Sequence, residues 1–163
     1  MIYCGIDNGV TGSIGVITTN DNGTTSAFIE TPVIKCLSYT KEPQHIQRIN
    51  WRHLVENMPK AGIVLIERPM VNPRAFKATQ SALRALEATI IVLEMLDLQY
   101  SFIDSKEWQR EFISSAISGH DEMKKASMKI GVILFPNNES FIRRHGDADG
   151  LLIAEFCRRK YSR

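Results

Sequence analysis

Three segments place a carboxylate at the end of an otherwise apolar stretch. Asp7 closes Met1-Ile-Tyr-Cys-Gly-Ile-Asp7, Glu67 closes Ile63-Val-Leu-Ile-Glu67, and Asp149 stands just before Leu151-Leu-Ile-Ala154. An acid in such a place is costly unless it is paired, hydrogen-bonded or bound to a metal. Taken singly, each reads as a solvated boundary residue or a helix cap. Taken together, and brought to one place, they would repel one another. A divalent cation relieves that repulsion, and hard oxygen ligands suit Mg2+ or Mn2+. Two such ions can activate a water and stabilise the leaving oxygen in phosphodiester cleavage.

Bringing the acids together is a task for the fold. Ile2 to Ile6, Ser13 to Thr19 and Thr24 to Thr31 read as three strands, and Asp21-Asn22-Gly23 marks a hairpin between the last two. Pro32 to Pro43 reads as a loop. The spacing of Ile46, Ile49, Leu54 and Met58 predicts a helix over about Gln44 to Asn57. Ile63 to Ile66 is a continuous apolar run, as expected of a strand buried on both faces in parallel pairing. Asn72 and Pro73 start a long helix that runs to about Asp97, with a stripe of small residues at Ala75, Ala78, Ala82, Ala85 and Thr89. Tyr100 to Ile103 reads as a strand, and Ser105 to Phe112 and Asp121 to Leu134 as helices. A last helix is expected from near Gly146 to near Lys160. Strand–helix–strand units at the centre imply parallel pairing with right-handed crossovers, and the opening meander makes the sheet mixed. Strand ends in such sheets are where ligands bind, so Asp7 and Glu67 on neighbouring strands, with Asp149 on a helix crossing that edge, would converge.

The 163 residues suit one domain, here taken as residues 1–163, and the 44% apolar share allows a sizeable core. No apolar run is long enough to span a bilayer, and the amino-terminal residues lack the basic start and long apolar middle of a signal peptide. Cys4, Cys36 and Cys157 are widely spaced and odd in number, which argues against a disulfide framework or a zinc site and for a reducing, cytoplasmic compartment. The net charge of +2 permits a nucleic-acid partner without requiring one.

Three longer motifs surround the acids: Gly5-Ile-Asp7-Asn-Gly9-Val-Thr11-Gly12-Ser-Ile-Gly15-Val-Ile17, Ile66-Glu67-Arg-Pro69, and His145-Gly-Asp147-Ala-Asp149-Gly-Leu-Leu-Ile-Ala154. In order and spacing they resemble the RuvC-type Holliday-junction resolvases, especially the small RuvC-like proteins of bacteriophages. Ile103-Asp-Ser-Lys-Glu-Trp108, Lys124-Lys-Ala-Ser127 and Leu134-Phe-Pro136 agree with that resemblance, which spans essentially the whole chain. It implies an RNase H-like α/β fold with a mixed five-stranded sheet flanked by helices. It also implies a homodimeric endonuclease of four-way or otherwise branched DNA, using two Mg2+ or Mn2+ ions per site and leaving ligatable 5′-phosphate ends. The setting would be the cytoplasm of a bacterial or phage-infected cell, and the task recombination and repair or debranching of replicated phage DNA. The family's catalytic acids fall on Asp7, Glu67 and Asp149. Its fourth ligand commonly lies three residues before the last aspartate, and Gly146 at that position cannot serve. His145 is one alternative, since a helix would place it on the face of Asp149. Asp147 is the other, since carboxylate is the better Mg2+ ligand.

Arg68, Arg74 and Lys77 flank Glu67 and the start of the long helix, where phosphate is favoured. Phe76 on the same turn is a candidate to stack on bases, or equally a core aromatic. Lys124 is a further phosphate candidate, with Lys106, Arg110 and Lys125 behind it. Arg158-Arg-Lys160 and Arg163 are basic, but cations near a helix C-terminus complement its dipole without DNA. Competing readings are a ribonuclease acting on RNA–DNA hybrids and a silent branched-DNA-binding protein. A nucleotide-hydrolysing module of the actin or hexokinase type would need a second such domain, which this length cannot supply.

Overall fold

The computed structural model describes residues 1–41 and 43–162. Its main sheet has five strands: β1 (Ile2–Ile6), β2 (Ser13–Asn20), β3 (Gly23–Glu30), β6 (Ile63–Glu67) and β7 (Gln99–Ile103), in the order β3-β2-β1-β6-β7. β1, β2 and β3 pair antiparallel, and β1–β6 and β6–β7 pair parallel. The expected mixed five-stranded sheet is therefore present. Asn20 faces Gly23 across the turn that joins β2 to β3, and Gly23 takes a positive φ of 122° there.

Two segments differ from the sequence-based expectation. Pro32 to Pro43 is not all loop: Val33–Leu37 forms β4, which pairs antiparallel with β5 (His45–Ile49) in a separate two-stranded sheet. The helix expected from Gln44 therefore begins only at α1 (Trp51–Asn57), where Asn50 accepts a hydrogen bond from the backbone of His53. Ile46 and Ile49 are three apart and so fit a helical face, but their actual partners, Cys36 and Val33, lie on a neighbouring strand. The second difference is α5 (Glu139–His145), a helix not anticipated, which ends at Gly146 in the left-handed conformation at φ 98°.

The remaining helices are α2 (Phe76–Met95), α3 (Ser105–Phe112), α4 (His120–Leu134) and α6 (Asp149–Tyr161). Asn72 and Pro73 begin a short 3-10 turn (Pro73–Ala75), and α2 follows it directly. The small-residue stripe of α2 is not one buried seam: Ala85 and Thr89 are buried, whereas Ala78 is exposed. No described helix is long and apolar enough to cross a membrane.

The sheet separates two cores. Cys4, Ile6, Val64 and Ile66 pack with Val92 and Leu93 of α2 on one side. Tyr3 and Leu65 pack with Leu151, Leu152 and Ala154 of α6 on the other. Side chains alternate along a strand, so Tyr3, Gly5 and Asp7 share the α6 side, as do Ile63, Leu65 and Glu67. α6 reaches that side very closely. A Cβ at Gly5 would lie 2.2 Å from the Ala154 nitrogen, and one at Gly15 would lie 2.4 Å from the Gly150 oxygen. Glycine at both positions is thus a packing requirement that seats the start of α6 on β1 and β2.

Candidate active site

The parallel register of β1 and β6 pairs Ile6 with Ile66, so the next residue on each strand, Asp7 and Glu67, emerges at the same edge and on the α6 side. Asp7 is held at its backbone by Ser13, whose carbonyl accepts the Asp7 N–H at 2.9 Å. Ser13 also accepts the Gly150 N–H on its side-chain oxygen at 3.1 Å, tying the first turn of α6 to the same strand. Asp149 is the first residue of α6, and Asp147 precedes it by two residues. Oxygens of Asp7, Asp147 and Asp149 all lie within 4.8 Å of one another. Glu67 borders the same cleft, about 510 Å³ in volume, together with Asp7, Asp149, Trp108, His120 and Lys124.

Each acid has a different support. Trp108 of α3 donates its indole N–H to Glu67 Oε2 at 2.8 Å. Ser127 of α4 donates to Asp149 Oδ1 and accepts the Ala148 N–H at 3.1 Å. Lys124, one turn earlier on α4, donates to Asp147 Oδ2 at 2.9 Å. Asp147 is itself almost fully buried, and its Oδ1 accepts the Asp149 N–H at 3.4 Å. One lysine stands against four carboxylates, and the electrostatic consequence is visible. Burial, then the charges of Asp149, Glu67 and Asp147, hold the Asp7 carboxyl well above the usual carboxylate range, against the pull of Lys124. Burial pushes Glu67 up to about 7, with Asp149 and Asp147 adding to the rise and the Trp108 hydrogen bond opposing it. Burial and Asp147 push Asp149 up to about 6, against Ser127, Lys124 and His120.

His145 lies beside the acidic cluster and is not one of the converging group. It ends α5, Gly146 breaks the chain direction, and Asp149 begins a new helix, so the shared helical face expected of His145 and Asp149 does not exist. Its ring packs edge-on against Phe28 at 5.3 Å, and its Nε2 lies 3.5 Å from Asp147 Oδ1. Asp147, not His145, is in the group whose oxygens converge. Asp147 approaches the N-terminus of α6 as a capping residue would, while its other oxygen faces Lys124.

Of the nucleic-acid candidates, Lys124 lies inside the acidic cleft. Arg68 pairs with Asp104 at 3.1 Å and lies 5.0 Å from the Phe102 ring centre; with Lys106 and Arg110 it borders a shallow depression that also reaches Glu67. Arg74, Phe76 and Lys77 are exposed around the start of α2, so Phe76 is not a core aromatic. Lys125 pairs with Glu122. Arg158 and Arg159 are engaged by Glu155, and Arg159 also by Glu111, so this basic run is occupied by intramolecular pairs. Arg163 lies outside the described residues.

Trp108, Ser127 and Ser13 were not singled out for roles from the sequence. For Trp108 and Ser127 a signal existed in the short motifs that contain them. Ser13 lies within the first of the three longer motifs, beside the glycine turn.

No family model matches the chain, and no curated protein matches its sequence. Solved structures do match. The Thermus thermophilus RuvC in complex with a Holliday-junction substrate superposes with a TM-score of 0.60 at 14% identity, covering 99% of this chain and 98% of that one. A Thermus thermophilus RuvC structure matches with a TM-score of 0.50 at 16% identity, covering 94% of this chain and 91% of that one. The likeness shows the fold: this chain has the RNase H-like α/β architecture seen in RuvC.

Proposed function

We propose that the chain is a divalent-metal-dependent endonuclease that nicks branched DNA, four-way junctions above all. The observation that carries this reading is the convergence of Asp7, Glu67, Asp147 and Asp149 at one sheet edge with a single lysine among them. Three of these acids sit well above their ordinary protonation range, so the cluster is built for positive charge that the chain itself does not supply. The full-length likeness to a RuvC whose structure holds a Holliday junction supports the choice of substrate.

The donor set fits a hard divalent cation: three carboxylates offer oxygens within 4.8 Å of one another, and Glu67 faces the same cleft. Asp7, Glu67, Asp147 and Asp149 would hold Mg2+ or Mn2+, and two ions bound there would supply an activated water and stabilisation of the leaving oxygen. Trp108 and Ser127 keep one oxygen of Glu67 and of Asp149 fixed, which leaves the other free to point into the cleft. Lys124 limits the repulsion around Asp147 and stands at the cleft wall, where it can meet a phosphate. Arg68 borders a depression that reaches Glu67, and Arg74, Phe76 and Lys77 are exposed around the start of α2, where DNA leaving the site would meet them. The exposed apolar residues Leu83, Ile91 and Met95 of α2 support a homodimer, in which each subunit would nick one strand.

The test is cleavage of a labelled synthetic four-way junction beside linear duplex and RNA–DNA hybrid, with Mg2+, Mn2+ or EDTA. Metal-dependent paired nicks in the junction alone are expected. Cleavage of the hybrid instead would replace this reading with the ribonuclease, and junction binding without cleavage would replace it with the silent binder.

A further inference from the structure

The β4–β5 hairpin lies outside the main sheet, and a groove of about 690 Å³ runs between its turn and the first half of α2. Tyr39 and Lys41 contribute from the hairpin side, and Phe76, Lys77 and Arg84 from α2. No carboxylate is among the described residues that line it. The groove begins at Val10, three residues beyond Asp7, and Asn8 donates to the Ala82 carbonyl at 3.2 Å, so the loop that carries Asp7 is tied to its wall.

Two features of its lining bear on what it could hold. Arg84 Nε is buried and has no hydrogen-bond partner, although a buried donor ordinarily finds one. The Tyr39 ring is 65% exposed with two guanidinium groups beside it, Arg48 at 5.6 Å and Arg84 at 5.7 Å from its centre. Phe76 is 69% exposed at the other rim. An anionic oxygen complements the charges of Lys41, Lys77 and the Arg84 guanidinium that line the groove. The exposed Phe76 ring, and the part of the Tyr39 ring that Arg48 and Arg84 leave uncovered, can lie against a flat apolar partner, and a base locked in a duplex cannot offer its face to them.

We propose that this groove holds unpaired nucleotides of the DNA as the strand leaves the acidic edge, with Tyr39 as a stacking platform and Arg84 and Lys41 on the phosphates. Aromatic rings interleaved with cations along one groove are the usual means of holding single strands without reading their sequence. This inference rests on the reading of the chain as a nuclease of branched DNA, because such substrates expose unpaired nucleotides near the branch. It adds a second contact surface, built largely on the hairpin, to the cations that flank Glu67.

The experiment is fluorescence anisotropy of a labelled oligothymidine of roughly 12 nucleotides, a length within the usual single-strand site size, in EDTA so that no cleavage intervenes. The intact chain is expected to bind it. Tyr39→Ala is expected to weaken binding roughly 5- to 100-fold, the range for loss of one base stack, while Tyr39→Phe keeps it. Lys41→Glu, at an exposed residue, and Arg84→Gln should also weaken it, and should weaken binding of a blunt duplex much less. Unchanged oligothymidine binding in Tyr39→Ala and Lys41→Glu would overturn the proposal. So would equal loss of duplex binding, or competition by polyglutamate as effective as by unlabelled oligothymidine. The readout is independent of the acids. A protein that cuts junctions but binds oligothymidine without regard to Tyr39 would lose the groove and keep the nuclease. One that binds through the groove but cuts nothing would lose the nuclease and keep the groove.

Discussion

Helix α6 carries two acids, Asp149 and Glu155, less than two turns apart, and the chain treats them in opposite ways. Glu155 accepts hydrogen bonds at 2.8 Å from Arg158 Nε and Nη2 and from Arg159 Nε. Burial pushes its carboxyl up, but Arg158 and Arg159 outweigh burial and leave it below its ordinary value. Asp149 has a hydroxyl, a more distant lysine and three other carboxylates for company, and it ends up at about 6. One acid is satisfied from within its own helix and fastens α6 to Glu111 of α3 through Arg159. The other sits beside further carboxylates, with Ser127, Lys124 and His120 only partly opposing them. Burial raises both carboxyls; around Glu155 two arginines outweigh it, and around Asp149 the neighbouring carboxylate adds to it.

The comparison breaks most sharply in activity. Asp7→Asn and Asp149→Asn are expected to reduce junction cleavage below detection while junction binding stays the same or tightens, because a ligand for the cation is lost and negative charge falls. Loss of binding along with cleavage would sink the metal-site reading. The same cleavage assay separates the two residues before Asp149. Asp147→Ala is expected to abolish cleavage, since its oxygens lie with those of Asp7 and Asp149, whereas His145→Ala should leave most of it. The reverse result would restore the histidine as the fourth ligand.

A smaller effect comes from the glycines that bring Asp149 to Asp7. In Gly15→Ala the new Cβ would meet backbone atoms of Gly150 and Leu151 at 2.4 Å, and backbone cannot turn aside as a flexible side chain can. Overpacking of about 1–3 kcal/mol is expected, which lowers Tm by roughly 2–12 °C for a chain of this size. Cleavage should fall further than this stability loss explains, because the start of α6 is what moves. A Gly15→Ala protein with normal cleavage would mean that the site tolerates displacement of α6.

Much of this site was legible because its logic is periodic. Alternation along β1 and β6 carries Asp7 and Glu67 to the same side, and the apolar runs behind them announce the strands. The approach of Asp149 was legible only as a motif: the cause is a contact between Gly5, Gly15 and Gly150, and a glycine in a sequence does not say which backbone comes near it. The β4–β5 hairpin was lost because Ile46 and Ile49 fit a helical spacing, while the strand that claims them is paired through residues a dozen positions earlier. The helix α5 did leave signs, with Glu139 in its first turn, Arg143, Arg144 and His145 in its last, and Gly146 as its stop. Missing that stop is what placed His145 and Asp149 on one imagined helix. The Trp108 and Lys124 contacts join α3 and α4 to the site across long stretches of chain, and no local pattern encodes them.

The finest form of the comparison is thermal, with the same substitution at two acids. Glu67→Gln removes a charge from the uncompensated cluster, and glutamine can still accept the Trp108 hydrogen bond. In metal-free protein at pH 7.5 it is expected to raise Tm by roughly 2–8 °C, as ~1–2 kcal/mol does at this size. Glu155→Gln takes the charge from three hydrogen bonds to half-exposed arginines and is expected to lower Tm by a similar amount. The pH dependence follows from the directions of the shifts. An acid whose folded-state value lies above its unfolded value binds more protons in the folded protein, so stability falls as pH rises between the two. For Glu67 that window runs from 4.5 to about 7, and for Asp149 from 3.8 to about 6. The metal-free Tm should therefore contain a component that declines from about pH 4 to pH 7, shallower in Glu67→Gln, and Mg2+ should raise Tm more at pH 7.5 than at pH 5. Glu155, with its value lowered, contributes in the other direction: its stabilisation is present above the unfolded value and is lost on acidification. Thermal melts across this range, with and without EDTA, read all of these at once. An identical pH slope in the metal-free Glu67→Gln protein would show that the folded chain itself already relieves the Glu67 charge.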